Sequence, residues 1–170
     1  GTKGVIARKT DGTLWSWGKA YPTNAKAFLG QNGDFYAVSS PVQIGILTNW
    51  AKVSSSGDYL AGAVKTNGTL WTWGKGGDGV LGLGDATNRS SPTIVGSLTT
   101  WASTTDKFSI GAGASVAIKS GELWSWGRGY FGTQGKNDTI DRSSPTQVGS
   151  LATWTKVVLN YNATLAIASH

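Results

Sequence analysis

The chain has 170 residues, enough for one domain of ordinary size to bury a core. It carries nine Trp and 25 Gly but neither Cys nor Met, which excludes disulfides and thiolate metal sites. The net charge of +6 permits acidic partners, yet only 14% of residues are charged and no Lys or Arg run concentrates them, which argues against a nucleic-acid footprint. No segment approaches the ~18 continuous apolar residues that span a bilayer. Gly1-Thr2-Lys3 leads straight into a strand-like run, so no signal peptide is expected within these residues. Opening without Met and already inside a pattern, the chain is expected to belong to something longer.

Val5 to Lys9 reads as a β-strand closed by Thr10-Asp11-Gly12, where Asp-Gly predicts a tight hairpin with φ > 0 at both central positions. The return strand, Thr13-Leu14-Trp15-Ser16-Trp17, puts Leu14 on one face and the two Trp on the other, as suits a sheet sandwiched between neighbouring sheets. Gly18 stops it. A loop then runs from Lys19 to Ser40, and Pro41 is expected at the first position of a third strand through Val42-Gln43-Ile44-Gly45. Trp50-Ala51-Lys52-Val53-Ser54 reads as the fourth.

The same order recurs from Leu60 and a third time around the hairpin Lys119-Ser120-Gly121. The strand Leu14-Trp15-Ser16-Trp17-Gly18 returns as Leu70-Trp71-Thr72-Trp73-Gly74 and as Leu123-Trp124-Ser125-Trp126-Gly127. Ser-Ser-Pro ends at 41, 92 and 145, and a later Trp follows at 50, 101 and 154. All nine Trp (15, 17, 50, 71, 73, 101, 124, 126 and 154) are thereby assigned to a repeated structural core, three per period. The repeats are placed at 5–60, 61–114 and 115–163, with 164–170 starting a further unit. Four short strands per ~50-residue period, without helical periodicity, describe β-propeller blades. The expectation is an all-β array of about three blades, each of four antiparallel strands.

These residues resemble the regulator-of-chromosome-condensation repeat family. The carriers are Asp11-Gly12-Thr13-Leu14-Trp15-Ser16-Trp17-Gly18, Leu81-Gly82, the Ser-Ser-Pro tripeptides, Val-Gly and the later Trp. The resemblance implies a seven-bladed propeller, of which this would be a segment; three such blades would alternatively assemble as copies into a ring. Leu47-Thr48-Asn49-Trp50 and Leu98-Thr99-Thr100-Trp101 resemble the divergent copies of phage and bacterial structural proteins. That implies a non-enzymatic module whose partners are other virion or surface proteins or further blades, located on a virion or extracellular surface in preference to the cytoplasm. The family's archetype is a GTPase exchange factor that also docks on nucleosomes; no exchange wedge or basic N-terminal tail is matched here. A regulatory propeller is therefore the alternative reading, and nucleic acid is a disfavoured partner.

Catalytic material is sparse. The single His is His170, so a His-based triad or metal centre has no components. Asp11, Asp78, Asp85, Asp138 and Asp141 fit turn chemistry. Gly74-Lys75-Gly76-Gly77-Asp78-Gly79 mimics a dinucleotide motif but lacks its strand–helix context, and no cofactor or metal is expected. Four Asn-X-Ser/Thr sequons are explained by turn-rich composition. Lys19, Lys75 and Arg128 each follow the Gly that ends a Trp strand, so they predict a cationic rim for an acidic partner. The first loop is the longest, which makes Tyr21, Lys26 and Phe28 the most individual surface. Tyr21, Phe35, Tyr36 and Tyr130 supply aromatics for a third reading, carbohydrate binding.

Overall fold

Each period begins with a hairpin whose turn is set by one glycine. In a computed structural model, which describes residues 4–19, 27–33, 37–57, 59–101, 107–160 and 163–169, Gly12 and Gly68 adopt φ of 81° and 76°. Asp11 and Asn67 do not join them in the left-handed region, contrary to expectation. Instead each side-chain oxygen accepts hydrogen bonds from the backbone N–H and hydroxyl of the Thr two residues on, at 3.0 and 2.6 Å for Asp11 and 3.2 and 2.8 Å for Asn67. That side-chain cap stabilises an ordinary turn with a single left-handed glycine after it. The third hairpin, one residue shorter, is the one with two positive φ angles, 51° at Ser120 and 84° at Gly121.

Thirteen strands among the described residues fall into four antiparallel sheets. The first is β1 (Val5–Arg8), β2 (Leu14–Lys19) and β3 (Ala37–Gln43). The second is β4 (Trp50–Ser55), β5 (Leu60–Lys65), β6 (Leu70–Gly74) and β7 (Arg89–Ile94). The third repeats it with β8 (Phe108–Ile110), β9 (Ala114–Lys119), β10 (Glu122–Gly127) and β11 (Arg142–Gln147), and β12 (Trp154–Asn160) with β13 (Ala163–Ala168) makes the fourth. These are propeller blades. The repeats at 5–60, 61–114 and 115–163 run one strand out of phase with them, because β4 pairs with β5 of the next repeat.

The Ser-Ser-Pro tripeptides explain a second departure. The expected third strands start at Pro41, Pro92 and Pro145, but β3, β7 and β11 begin earlier and carry the proline inside them. Gly18, Gly74 and Gly127 pair with Val38, Arg89 and Arg142, while Ser16, Thr72 and Ser125 pair with Val42, Thr93 and Thr146. Three residues therefore oppose one Trp, and the ladder is interrupted where proline has no N–H to give. All three are outermost strands, where that loss is tolerated.

Packing between sheets follows one rule: the Leu face of each sheet covers the Trp face of the next. Leu14, Phe28, Leu29 and Ile44 meet Trp50, Ala61, Ala63 and Trp73 in one core cluster. Leu70, Val80, Leu81 and Val95 meet Trp101, Phe108 and Trp126 in another. Val116, Ile118 and Leu123 meet Val157 in a third. Small residues stand opposite the indoles, with Ala63 paired to Trp71, Ala61 to Trp73 and Ala117 to Trp124, so the strands make room for the bulk they carry.

Of the nine Trp, Trp50, Trp73, Trp101 and Trp126 are buried, whereas Trp15, Trp17, Trp71, Trp124 and Trp154 are half-buried. Trp17 lies on the Trp face of the first sheet, which no earlier sheet in this chain covers. Trp71 meets Trp50 edge-on at 5.9 Å and Trp124 meets Trp101 at 6.0 Å.

Candidate interaction rim

The end of the sheets opposite the hairpins is built by the loops that leave β2, β6 and β10. The loops that leave β2 and β6 each end in a lock on the following sheet. The indole N–H of Trp73 donates to the Phe28 carbonyl and that of Trp126 donates to the Val80 carbonyl, each at 2.9 Å. Gly30 and Gly82 lie on those same indoles; a Cβ would stand 2.6 and 2.7 Å from the ring nitrogen. The Leu-Gly dipeptide is thus the imprint of the next sheet's Trp. Backbone N–H groups of Asn32 and Gly84 then bond the carbonyls of Ser90 and Ser143 in the next outer strand, both at 2.8 Å.

Phe28, expected on the surface of the variable loop, is fully buried. It occupies the position of Val80, so its carbonyl must reach the neighbouring indole and its ring fills the space beneath. Tyr21, Lys26, Phe35, Tyr36 and His170 lie outside the described residues.

The three rim cations share a position. Lys19 closes β2, while Lys75 and Arg128 follow β6 and β10 with backbone N–H bonds to the Tyr59 and Gly113 carbonyls at 2.7 Å. Their side chains are not equivalent. Arg128 reaches across the blade boundary, with Nε 3.0 Å from Asp78 Oδ2 and a terminal nitrogen on the same oxygen. Lys75 lies 5.8 Å from the Tyr59 ring. Asp78 as the Arg128 partner was not visible in sequence, because the residues are 50 apart and belong to different periods.

The second and third loops share one internal design. Asn88 and Asp141 accept from the N–H of Gly76 and Gly129 at 2.9 and 2.8 Å. Asp85 pairs with Arg89, and Asp138 with Arg142, each four residues on. The Arg142 hydrogen bond, followed by the Ile140 N–H, lowers the Asp138 carboxyl to about 2. Asp85 is lowered too, first by the Thr87 N–H and then by Arg89. These acids shape turns. Among the described residues no group of three or more His, Asp or Glu converges to hold a metal ion.

Lysines recur at the hairpin end as well. Lys9 lies 5.2 Å from the Trp15 ring, Lys65 is 3.7 Å from Trp71 and 4.9 Å from Trp50, and Lys119 is 4.7 Å from Trp124. Asp11 and Glu122 pair with the first and third. Asn67 replaces the acid in the middle copy, so among the described residues no carboxylate neutralises Lys65, and burial lowers its ammonium below the ordinary lysine value. These cations support indoles.

The family model described as the regulator of chromosome condensation (RCC1) repeat matches residues 67–118 and 120–167. The chain is 30% identical over 148 residues to human "Probable E3 ubiquitin-protein ligase HERC3", covering 84% of this chain and 13% of that protein. It is 35% identical over 101 residues to the ultraviolet-B receptor UVR8 of Arabidopsis thaliana, covering 58% and 22%. Among solved structures, human WBSCR16 superposes with a TM-score of 0.79 at 18% identity, over 99% of this chain and 43% of that one. Yeast RCC1 (Prp20), solved bound to Kap60, gives 0.77 at 19% identity over 100% and 41%. The chain thus spans less than a quarter of those curated relatives and about two-fifths of the solved propellers. It belongs to the RCC1 repeat family.

Proposed function

We propose that this propeller segment is a structural and protein-interaction module with no catalytic machinery of its own. Its locked sheets hold the loops of one end in fixed positions for a partner. The observation that carries the reading is the repeated indole lock. Trp73 and Trp126, which would otherwise suggest ligand stacking, are spent on the Phe28 and Val80 carbonyls of the preceding loop. Recognition is left to loop residues that differ between copies, beside the cations Lys19, Lys75 and Arg128. A protein partner is supported by two solved structures of one neighbour, yeast Prp20, one of them bound to Kap60 and the other described with its binding properties to Gsp1p and histones.

The setting we propose is a phage virion or bacterial surface assembly, supported by the Leu-Thr-Asn-Trp wording before the inner strands. The regulatory reading draws on the Prp20p likeness to Gsp1p and histone binding. Amine crosslinking of the natural assembly, followed by mass spectrometry, separates the two. Crosslinks from Lys19 and Lys75 into a structural protein are expected, with no stimulation of nucleotide exchange on a small GTPase and no salt-dependent DNA binding. Exchange activity, or DNA affinity that falls steeply between low and moderate salt, overturns the structural reading.

A further inference from the structure

Two positions carry Asn-Gly, the dipeptide most prone to lose its side-chain ammonia: Asn32-Gly33 and Asn67-Gly68. With no side chain on the glycine, its backbone nitrogen meets little obstruction at the asparagine side-chain carbonyl. Both asparagines are exposed. Their surroundings differ. The Asn67 Oδ1 accepts from the Thr69 N–H at 3.2 Å and from the Thr69 hydroxyl at 2.8 Å, and the Gly68 N–H donates to the Lys65 carbonyl at 2.9 Å. Carbonyl and nucleophile are therefore both engaged. Gly68 is also fixed against the next loop, since a Cβ there would stand 2.0 Å from the Thr99 carbonyl oxygen.

Asn32 has none of this. Among the described residues no hydrogen bond reaches its side chain or the Gly33 N–H. Its own N–H is an anchor of the first loop, donating to the Ser90 carbonyl of β7 at 2.8 Å. It sits at φ 55°, a conformation that costs asparagine less than most residues. A missing blade does not account for its exposure. The second sheet, on which this loop closes, is present, and Gly84, its counterpart on the second loop, is exposed with the third sheet in place.

We propose that Asn32 is a site of spontaneous deamidation, and that the hairpin bonds hold the identical dipeptide at Asn67 unreacted. The Gly33 nitrogen, its proton taken by hydroxide, attacks the side-chain carbonyl carbon of Asn32. The new C–N bond closes a succinimide ring, the bond to Nδ2 breaks, and the departing nitrogen takes a proton from water to leave as ammonia. Water then adds to either ring carbonyl and breaks its bond to nitrogen, giving aspartate or isoaspartate. The net change is amide plus water to acid plus ammonia. Either product puts a carboxylate on the rim that carries Lys19, Lys75 and Arg128. The isoaspartate also lengthens the main chain directly after the N–H that fastens the loop to Ser90. The modification thus alters rim charge and blade fastening together, and it stands whether or not the rim binds a partner.

The test is incubation of the full chain at mildly alkaline pH, with peptide mass spectrometry following the mass gain of amide-to-acid conversion at each asparagine. In the folded chain Asn32 should convert at least about tenfold faster than Asn67, because reaction at Asn67 waits on local opening of the hairpin. In urea the two should convert at similar rates. T69V keeps the shape of the residue but removes the hydroxyl bond to Asn67, so it should speed conversion at Asn67 and leave Asn32 unchanged. Conversion of Asn67 as fast as Asn32 in the folded chain overturns the inference. So does an Asn32 that converts in urea but not in the folded chain. An unchanged Asn67 rate in T69V overturns the part assigned to the hairpin bonds.

Discussion

The indole lock makes a quantitative prediction at Gly82. The substitution Gly82→Ala forces a side chain into φ 73° and sets its Cβ 2.7, 3.0 and 3.1 Å from three atoms of the Trp126 indole. The left-handed backbone costs about 1–2 kcal/mol. Overpacking against a fixed ring adds about 1–3 kcal/mol. Displacing Trp126 weakens its bond to Val80, worth a further 0.5–1.5 kcal/mol or so. Together these place the loss at roughly 3–6 kcal/mol. Gly96→Ala is the internal control: φ is 58°, but nothing lies within 4 Å of the added Cβ, so only the backbone penalty of about 1–2 kcal/mol applies. Urea unfolding followed by Trp fluorescence measures both, with the midpoint shift at constant slope giving the difference. Equal destabilisation by the two alanines would refute the lock as the element that fastens one blade to the next.

Three further outcomes follow from the surrounding chemistry. Asp78→Asn should cost no more than about 1 kcal/mol, because the Arg128 pair that crosses the blade boundary is exposed; a double-mutant cycle with Arg128→Gln measures it. Asp11 is lowered to about 2, chiefly by the Thr13 hydroxyl and then by the Thr13 N–H, so its stabilisation is complete above its ordinary value near 3.8 and is lost as pH falls toward 2. Asp11→Asn should keep the turn, as Asn67 does, and remove that acid slope from the unfolding midpoint. Burial lowers Lys65, so the folded state releases its proton first and stability should rise with pH just below 10.5; Lys65→Met should flatten that rise in alkaline unfolding curves.

The blade pattern was legible because it is periodic. A Leu and two indoles on alternate faces, followed by Gly, mark a strand covered on both sides, and three copies of it fix the architecture. What the sequence left dark depends on partners from another period. Leu-Gly at 81 and 82 was visible as a motif, but its cause, the Trp126 ring, lies one blade on. Phe28 read as loop surface because its environment is supplied by Trp73 of the next sheet. Ser-Ser-Pro read as a strand start because local rules place proline at an end, whereas the outermost strand tolerates it at an interruption opposite a Trp. The divergence at Phe131 was available from the sequence, since aligning Gly74 with Gly127 sets it against Asp78, but its φ of 59° required the backbone.

Difference between copies is informative when the common frame is held constant. Gly74 and Gly127, the Asn88 and Asp141 caps, and the Asp85–Arg89 and Asp138–Arg142 pairs keep two loops in one shape. Within that shape Val80 and Leu81 of the second loop are buried against the third sheet, while the third loop places Thr133 and Gln134 there and secures Gln134 by bonds inside its own loop. At the corresponding positions Asp78 pairs with Arg128 and Gly79 packs on Ser143 of the third sheet, so the difference between Asp78 and Phe131 falls at the contact between one blade and the next.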